Sequence, residues 1–206
     1  MLNGLYVLTD SRVYPQAQWP SRVEAVIQGG TNVIQLREKS LSDDELMPYA
    51  RELLEVCQSH NIPLIINDRV ELAKKVGAEG VHIGKDDQSL HAVREYLGND
   101  FYIGISCYRN IDAALKAQQL GADYVAFGSL FPSMTKRNAL RCPLPILQQA
   151  SRQLTIPVCG IGGITANNIT KVAHAGALLI AVSDAVFNAD DPKAASKIMS
   201  GIIPEH

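Results

Sequence analysis

The stretch that decides the fold is Pro-Leu-Ile-Ile-Asn-Asp-Arg-Val-Glu-Leu-Ala-Lys-Lys-Val-Gly-Ala-Glu-Gly-Val-His-Ile-Gly-Lys-Asp-Asp, residues 63–87. Its apolar run 64–66 lies between a proline and two polar residues, which predicts a buried strand. The apolar residues between 70 and 76 have helical spacing, and Gly77 ends that helix. A second apolar run, 81–83, is closed by Gly84. Together they predict a βαβ unit with parallel, neighbouring strands.

Acidic residues follow both predicted strands. Asp68 leaves the carboxyl end of the first strand, and Asp86 and Asp87 leave the same end of the second. Neighbouring strands lie about 5 Å apart, so these carboxylates should converge on a site suited to a hard cation such as Mg²⁺. The alternative is that each acid caps the helix that follows it. Taken singly the acids favour capping, but as a pair at matched strand ends they favour a metal site.

The whole chain repeats this strand and helix alternation. Eight short apolar runs alternate with eight helical segments, which predicts an α/β fold, a single-domain (β/α)8 TIM barrel spanning residues 1–206. A doubly wound open sheet is the competitor, but the fingerprint G-x-G-x-x-G is missing after the first strand. Glycine turns precede the even-numbered strands at Gly30, Gly77, Gly121 and Gly176. The predicted strands are 5–8, 33–36, 64–66, 81–83, 101–105, 124–127, 157–161 and 178–182.

Two serines are predicted to begin helices. Ser21 is expected to cap the first helix, and Ser42 has capping-box spacing to Glu45 at the start of the second. His82 lies between two apolar residues in the fourth strand, where a core histidine bonded to the backbone is the favoured interpretation over a catalytic one.

Composition limits the classes of partner. The chain has 206 residues, 47% of them apolar, and a net charge of −2, which argues against a nucleic-acid or basic membrane surface. It shows neither a membrane-spanning apolar run nor a signal peptide. The four cysteines have no zinc spacing, and we expect them to be buried or bystander thiols in a reducing cytoplasm: Cys57, Cys107, Cys142 and Cys159. The oligomeric state is left open, with a homo-oligomer among the possibilities.

In barrels of this kind, active sites lie at the carboxyl ends of the strands. Gln35, Arg37 and Lys39 alternate along an extended segment and should point two cations and an amide into the barrel mouth, as a diphosphate requires. Gly162 and Gly163 precede the helix expected from Thr165.

Two phosphate-type sites follow from these ends. The Gly162–Gly163 turn, with Ser183 after the eighth strand, is typical of an anion site, although it could be only a tight turn. Ser133, Thr135 and Lys136, in the long loop 129–143, could close over a phosphate or be a solvated loop.

At these residues the chain resembles the thiamine-phosphate synthase family over nearly its whole length. The motifs that carry the resemblance are Gln35-Leu-Arg-Glu-Lys39, Asn67-Asp-Arg69, Val81-His-Ile-Gly-Lys-Asp-Asp87, Gly104-Ile-Ser106, Phe127-Gly-Ser-Leu-Phe-Pro-Ser-Met-Thr-Lys136, Gly160-Ile-Gly-Gly-Ile164 and Val182-Ser183. It departs from the family's usual Gly-Pro-x-x-Pro-Thr loop at Ser129 and Ser133, and it has Cys107-Tyr108 where Thr-His is common.

The resemblance implies a transferase that joins hydroxymethylpyrimidine diphosphate to a thiazole phosphate and releases pyrophosphate. It implies Mg²⁺ on Asp68 and Asp87. It implies that the pyrimidine and diphosphate are bound by Gln35, Arg37, Glu38, Lys39, Asn67, Ser106 and Lys136, of which Arg37, Lys39, Ser106 and Lys136 are catalytic. It places substrate phosphate at Ser133 and Thr135, and the thiazole phosphate at Gly163, Val182 and Ser183.

Other functions remain as alternatives. The related thiazole tautomerase shares the barrel but has Gly where Asp68 stands and lacks the paired acids. A sugar-phosphate isomerase is a further enzyme alternative, although two acids among several cations fit a diphosphate better. A non-catalytic, ligand-sensing barrel should have lost Arg37, Asp68 or Lys136, and all three are present.

Overall fold

Eight strands form a closed barrel in chain order, and every pair of neighbours is parallel. This is a computed structural model, and it describes residues 1–84, 87–132 and 140–204. The predicted (β/α)8 barrel is therefore confirmed. The strands are β1 (Gly4–Leu8), β2 (Val33–Leu36), β3 (Leu64–Asn67), β4 (Gly80–Ile83), β5 (Tyr102–Tyr108), β6 (Tyr124–Phe127), β7 (Val158–Ile161) and β8 (Leu179–Val182).

A helix follows each strand in the described part of the chain. These helices are α1 (Trp19–Gln28), α2 (Asp43–Ser59), α3 (Val70–Val76), α4 (Leu90–Leu97), α5 (Ile111–Gln119), α6 (Leu144–Gln153), α7 (Ile169–His174) and α8 (Pro192–Ser200). Within the described ranges, every helix is too short or too polar to cross a lipid bilayer.

The helix starts differ in part from the prediction. The Ser42 and Glu45 capping box is present at the start of α2. The Ser21 cap is wrong, because α1 already begins at Trp19 and Ser21 lies inside it. Trp19 is fully buried and its indole N–H donates to the carbonyl of Tyr14, so packing fixes an earlier start. Pro20 suits the first turn of a helix, where no backbone N–H is needed.

The glycine turns before the even-numbered strands have the backbone conformation that the repeat suggests. Gly77, at the end of α3, has a φ of 82°, and Gly121, before β6, has a φ of 88°. An L-residue with a side chain is strained in this left-handed region. The repeated glycines therefore mark the turns that lead from the end of a helix into the next strand, at the amino-terminal end of the barrel.

The strands separate two apolar cores. One lies between the barrel and its helices, and a smaller one fills the barrel interior, where Tyr6, Val33, Ile65 and Tyr124 meet. Side chains alternate between the two faces of a strand. The residue two positions after an interior residue is therefore also interior, and this rule places polar side chains at the carboxyl end of the barrel: Gln35, Asn67, His82 and Ser106.

The four cysteines are free and buried, as predicted. Burial raises the pKa of Cys57 and of Cys159 to about 12. These thiols are therefore protonated and unreactive at neutral pH.

Candidate active site

Asp68 lies at the rim of the barrel, directly after β3. Its backbone N–H donates to the carbonyl of His82 at 2.8 Å, which continues the β3–β4 pairing by one residue. Its φ is 62°, a left-handed conformation that Asp tolerates better than most residues. The residue before α3 is Arg69, and the helix has no side-chain cap. The capping alternative for Asp68 is therefore wrong, and its carboxylate lies at the rim without capping α3.

Asp87 lies at the end of the neighbouring strand. Its Oδ2 accepts a hydrogen bond of 2.6 Å from the backbone N–H of Gly84, which follows β4. Ser89 caps α4 by accepting from the amide of Ala92, so the capping alternative is wrong for Asp87 as well. Asp86 lies outside the described residues.

The register of the sheet places the two acids after neighbouring strands. Asn67 of β3 pairs with His82 of β4, so Asp68 and Gly84 extend from adjacent strand ends. Asp87 is bonded to that same Gly84. In the described ranges, no three acidic, histidine or cysteine side chains are placed so that they could hold a metal ion together. Mg²⁺ is commonly held by one or two protein carboxylates together with water and phosphate oxygens, so this donor set fits the metal that the resemblance implies.

The cations predicted at the mouth follow β2. Lys39 forms an ion pair with Asp68, with 2.9 Å between Nζ and Oδ2. The backbone N–H of Arg37 donates to Thr9 Oγ1 at 2.9 Å, which ties this segment to the end of β1. Arg37 is half-buried and Lys39 is exposed. The β2 end therefore presents its positive charge next to the acid that follows β3.

Glu38 lies in a different environment from its neighbours in the sequence. It is buried, and its Oε1 accepts from both the backbone N–H and the hydroxyl of Ser40. Burial alone would raise the pKa of Glu38, but hydrogen bonds from Ser11, Ser40 and the amide of Leu41 outweigh it and hold the pKa below its ordinary value. An ionised Glu38 thus holds the loop after β2 in shape.

Arg69 is a residue of this region that the sequence did not single out. Its guanidinium donates to the carbonyls of Glu38 and Leu41 and pairs with Asp43 at 2.6 Å. It therefore fastens the loop carrying Arg37 and Lys39 to the segment that carries Asp68. The motif Asn-Asp-Arg contained the signal, since Arg69 directly follows the predicted metal ligand.

The barrel interior holds a continuous chain of hydrogen bonds beneath the mouth. Gln35 Nε2 donates to the Tyr6 hydroxyl at 2.6 Å, and that hydroxyl lies 2.9 Å from the hydroxyl of Tyr124. Tyr124 lies 3.0 Å from His82 Nδ1, and His82 Nε2 lies 2.9 Å from Ser106 Oγ. His82 is a core histidine, as predicted, and its ring nitrogens lie within hydrogen-bond distance of side chains of β5 and β6.

Tyr6 and Tyr124, the two tyrosines of this hydrogen-bond chain, are fully buried. Burial raises the pKa of Tyr6 and of Tyr124 well above the ordinary value for a phenol. Their hydroxyls are therefore protonated at any working pH. Gly104 makes room for the Tyr124 ring, because a Cβ there would lie 2.0 Å from Cζ of Tyr124.

The glycine pair after β7 packs against the loop after β6. The amide of Phe131 donates to the carbonyl of Gly162 at 3.0 Å. A Cβ on Gly163 would lie 2.3 Å from the carbonyl oxygen of Pro132, and Gly163 has a φ of 63°. The pair thus packs against the first residues of the loop after β6. The predicted site residues Ser133, Thr135 and Lys136, further along that loop, lie outside the described residues.

The helix expected from Thr165 begins later. The amide of Thr165 donates to Asn168 Oδ1, and Asn168 Nδ2 donates to the carbonyl of Gly163. These bonds form a turn, and α7 starts only at Ile169. Asn168 is thus a second residue that the sequence argument missed, and it fixes the Gly163 turn through its amide.

Val182 and Ser183 end β8 beside β1. Val182 is buried and pairs with Val7. The carbonyl of Ser183 accepts from the amides of Val186 and Phe187, at 3.1 and 2.7 Å, so the chain turns directly after the strand. This turn lies next to the β7 loop, because β7 and β8 are neighbours.

A depression of about 670 Å³ opens at the opposite end of the barrel. Its lining includes Asn32, Pro63, Glu79 and Tyr102, which stand at the amino-terminal ends of strands. Glu79 is engaged in the fold, since it accepts from the amide of Leu64 at 2.9 Å. The acids and cations described above lie at the other end, where barrels of this fold carry their active sites.

The closed barrel, with acids, cations and hydroxyls gathered at its carboxyl end, places the chain in the class of (β/α)8-barrel proteins. The sequence model of the family described as thiamine monophosphate synthase matches residues 5–186. The chain belongs to that family.

Curated relatives are similar in sequence over nearly the whole chain. The thiamine-phosphate synthase of Thioalkalivibrio sulfidiphilus is 43% identical over 201 residues, covering 98% of this chain and 95% of the relative. That of Nitrosococcus oceani is 42% identical over 195 residues, covering 95% and 90%. The solved thiamine phosphate pyrophosphorylase of Pyrococcus furiosus superposes with a TM-score of 0.89 at 32% identity, covering 97% of this chain and 95% of that one.

Proposed function

We propose that this protein is a thiamine-phosphate synthase. It condenses 4-amino-5-hydroxymethyl-2-methylpyrimidine diphosphate with hydroxyethylthiazole phosphate, giving thiamine phosphate and pyrophosphate. The observation that carries the proposal is the ion pair between Lys39, after β2, and Asp68, after β3, with Asp87 following the neighbouring strand β4 and Arg37 in the same segment as Lys39. Membership of the family and the names of relatives more than 40% identical support it.

Asp68 and Asp87 would hold Mg²⁺ on the diphosphate. When bound, the ion would supply positive charge that neutralises the leaving group. The protein adds to that charge through the side chains of Arg37 and Lys39, and through Lys136 of the loop after β6. Arg suits bidentate contact with phosphate oxygens, whereas Lys acts as a compact charge.

Departure of the diphosphate leaves a pyrimidine-methyl cation, which the thiazole nitrogen attacks. The side chains therefore act chiefly on the charge that builds up on the leaving oxygen. The Ser106 hydroxyl can donate a hydrogen bond to the leaving oxygen. A protein nucleophile has no part in this route, in keeping with the cysteines, whose thiols are buried and protonated.

The two substrates would lie on different strands. Gln35, Asn67 and Ser106, interior residues of β2, β3 and β5, would contact the pyrimidine, and Glu38 would act by holding the Arg37–Lys39 loop. The thiazole phosphate would bind at Gly163, Val182 and Ser183, between the ends of β7 and β8. Ser133 and Thr135 would contact substrate phosphate from the loop after β6.

We also propose that the protein acts on small molecules in the cytoplasm. The net charge of −2 and the four free thiols are consistent with a cytoplasmic enzyme that binds neither nucleic acid nor membranes.

The test is direct. The purified protein is mixed with both substrates and Mg²⁺, and the products are identified by mass spectrometry. We expect thiamine phosphate and pyrophosphate in equal amounts, with neither formed when the thiazole phosphate is omitted. The variant Asp100→Asn, at an exposed acid before β5, serves as a control that should match the unmodified protein. Isomerisation of a thiazole phosphate without pyrophosphate release would instead assign a tautomerase.

A further inference from the structure

We propose that His82 is a positioning residue that turns the Ser106 hydroxyl proton toward the substrate. The inference deepens the proposed function and rests on it for the identity of the substrate. It is carried by the hydrogen-bond chain that crosses the barrel from Gln35 of β2 to Ser106 of β5, together with the donor that stands at its Gln35 end.

The direction of the chain is set at Gln35. Its Nε2 can only donate, so the Tyr6 hydroxyl accepts there. Each tyrosine hydroxyl has one proton to give. Because Gln35 Nε2 cannot accept the Tyr6 proton, we infer that this proton goes to the hydroxyl of Tyr124, 2.9 Å away.

The same rule fixes the ring of His82. Tyr124 accepts from Tyr6, so its proton goes to Nδ1 of His82 at 3.0 Å. A neutral imidazole whose Nδ1 accepts carries its proton on Nε2. That nitrogen therefore donates to Ser106 Oγ, 2.9 Å away.

The consequence is chemical. Ser106 accepts from His82, so its own proton is not used by the ring and can be donated to an oxygen of the diphosphate. If the chain ran the other way, Nε2 would take that proton and Ser106 would face the substrate with lone pairs only. A hydroxyl that already accepts a hydrogen bond is also a better donor, because bonds in such chains polarise one another.

Burial protects this hydrogen-bond chain from water. Tyr6, Gln35, Tyr124 and His82 are each at most 9% exposed, so water does not compete readily for their hydrogen bonds. The raised pKa of both tyrosines keeps every hydroxyl proton of the chain in place. The arrangement also links the two side chains proposed to contact the pyrimidine, Gln35 and Ser106, through a single path.

The first test reads the tautomer directly. Nitrogen-15 NMR of labelled histidines, with the His82 signal assigned by its loss in His82→Asn, should show a pyridine-type Nδ1 and a pyrrole-type Nε2. The variant Gln35→Glu replaces the donor by an acceptor and should reverse the chain, giving the opposite tautomer. The opposite tautomer in the unmodified protein, or an unchanged one in Gln35→Glu, would overturn the proposal.

The second test is a double-mutant cycle. Tyr124→Phe removes the donor to His82 and should lower kcat about tenfold with little change in KM, the effect of one hydrogen bond on a rate. In a Ser106→Ala background the same change should have almost no further effect, because the hydroxyl it orients is gone. Equal losses in both backgrounds would show a merely structural role and overturn the proposal.

A matched control and a separation of outcomes complete the design. Tyr102→Phe alters another tyrosine packed against the interior core, outside this chain, and should leave kcat unchanged. The NMR measurement needs no substrate. It therefore still tests His82 if the protein fails to make thiamine phosphate, so failure of the proposed function and failure of this inference remain distinguishable.

Discussion

Lys39 Nζ lies 2.9 Å from Oδ2 of Asp68, so a cation from the segment after β2 meets the acid that follows β3. The Lys39 side chain is 61% exposed and that of Asp68 is 28% exposed. An ion pair this open to solvent contributes little to folding, about 0 to 1 kcal/mol. The pair lies at the mouth of the barrel, and under the proposed function Lys39 would leave Asp68 for a substrate phosphate.

The first prediction follows from that exposure. Lys39→Met should leave the free energy of unfolding within about 1 kcal/mol of the unmodified value. It should lower kcat by about 100-fold, the usual effect of losing one group that stabilises a leaving charge. Urea unfolding and steady-state rates measure the two quantities. A large loss of stability with normal turnover would assign Lys39 a structural role.

The second prediction concerns Gly163. Gly163→Ala should destabilise the protein by more than about 2 kcal/mol, because its Cβ would lie 2.3 Å from the Pro132 carbonyl in a left-handed backbone. It should also raise KM for the thiazole phosphate, since the β6 loop must move.

Gly77→Ala is the matched control for that substitution. Gly77 is also left-handed, with a φ of 82°, but a Cβ there meets nothing within 4 Å. Only the backbone penalty of about 1 kcal/mol should appear, with KM unchanged. Equal effects of the two substitutions in urea unfolding would contradict the close approach of the two loops.

The third prediction is a pH dependence at Asp10, after β1. Burial alone would raise the pKa of Asp10, but hydrogen bonds from Arg12 and Asn188 outweigh it and hold the pKa below its ordinary 3.8. A lowered pKa in the folded state gives stability that is present above about pH 4 and is lost as pH falls. Asp10→Asn should therefore lower stability by about 1 to 2 kcal/mol at pH 7.

The difference from the unmodified protein should shrink as the pH falls below 3.8. Thermal unfolding across the pH range measures it, with Asp100→Asn as the control that shows no such trend. A difference between Asp10→Asn and the unmodified protein that is constant from pH 7 to pH 3 would contradict the role given to the ionised carboxylate.

Most of the fold could be predicted from the local spacing of apolar residues. The run 63–87 contains its strand, helix and strand in a few residues, and α3 (Val70–Val76) has the predicted bounds. The glycine turns were predictable for the same reason, because Gly77 and Gly121 answer a local demand for positive φ. The strand ends then follow from parallel topology, which places Asp68 and Asp87 on neighbouring ends.

The interior hydrogen-bond chain was not predictable in this way. Tyr6 and Tyr124 are 118 residues apart and meet only because the barrel closes. In the sequence each is one aromatic residue in an apolar run, and His82 between two apolar residues shows nothing of its partners. Glu38 was likewise hidden, since a charged residue between Arg37 and Lys39 gives no sign of being buried.

The fourth prediction tests the central claim, that carboxylates from neighbouring strand ends share a magnesium ion on the diphosphate. Initial rates of thiamine phosphate formation are measured against Mg²⁺ concentration for the unmodified protein, Asp68→Asn, Asp87→Asn and the control Asp100→Asn. Asparagine keeps the shape at Asp68 and tolerates its left-handed backbone, so the fold should stay intact. We expect the first two variants to lose at least about 100-fold in rate and to need more Mg²⁺, with unchanged unfolding midpoints. Full activity of either variant at limiting Mg²⁺ would contradict the account.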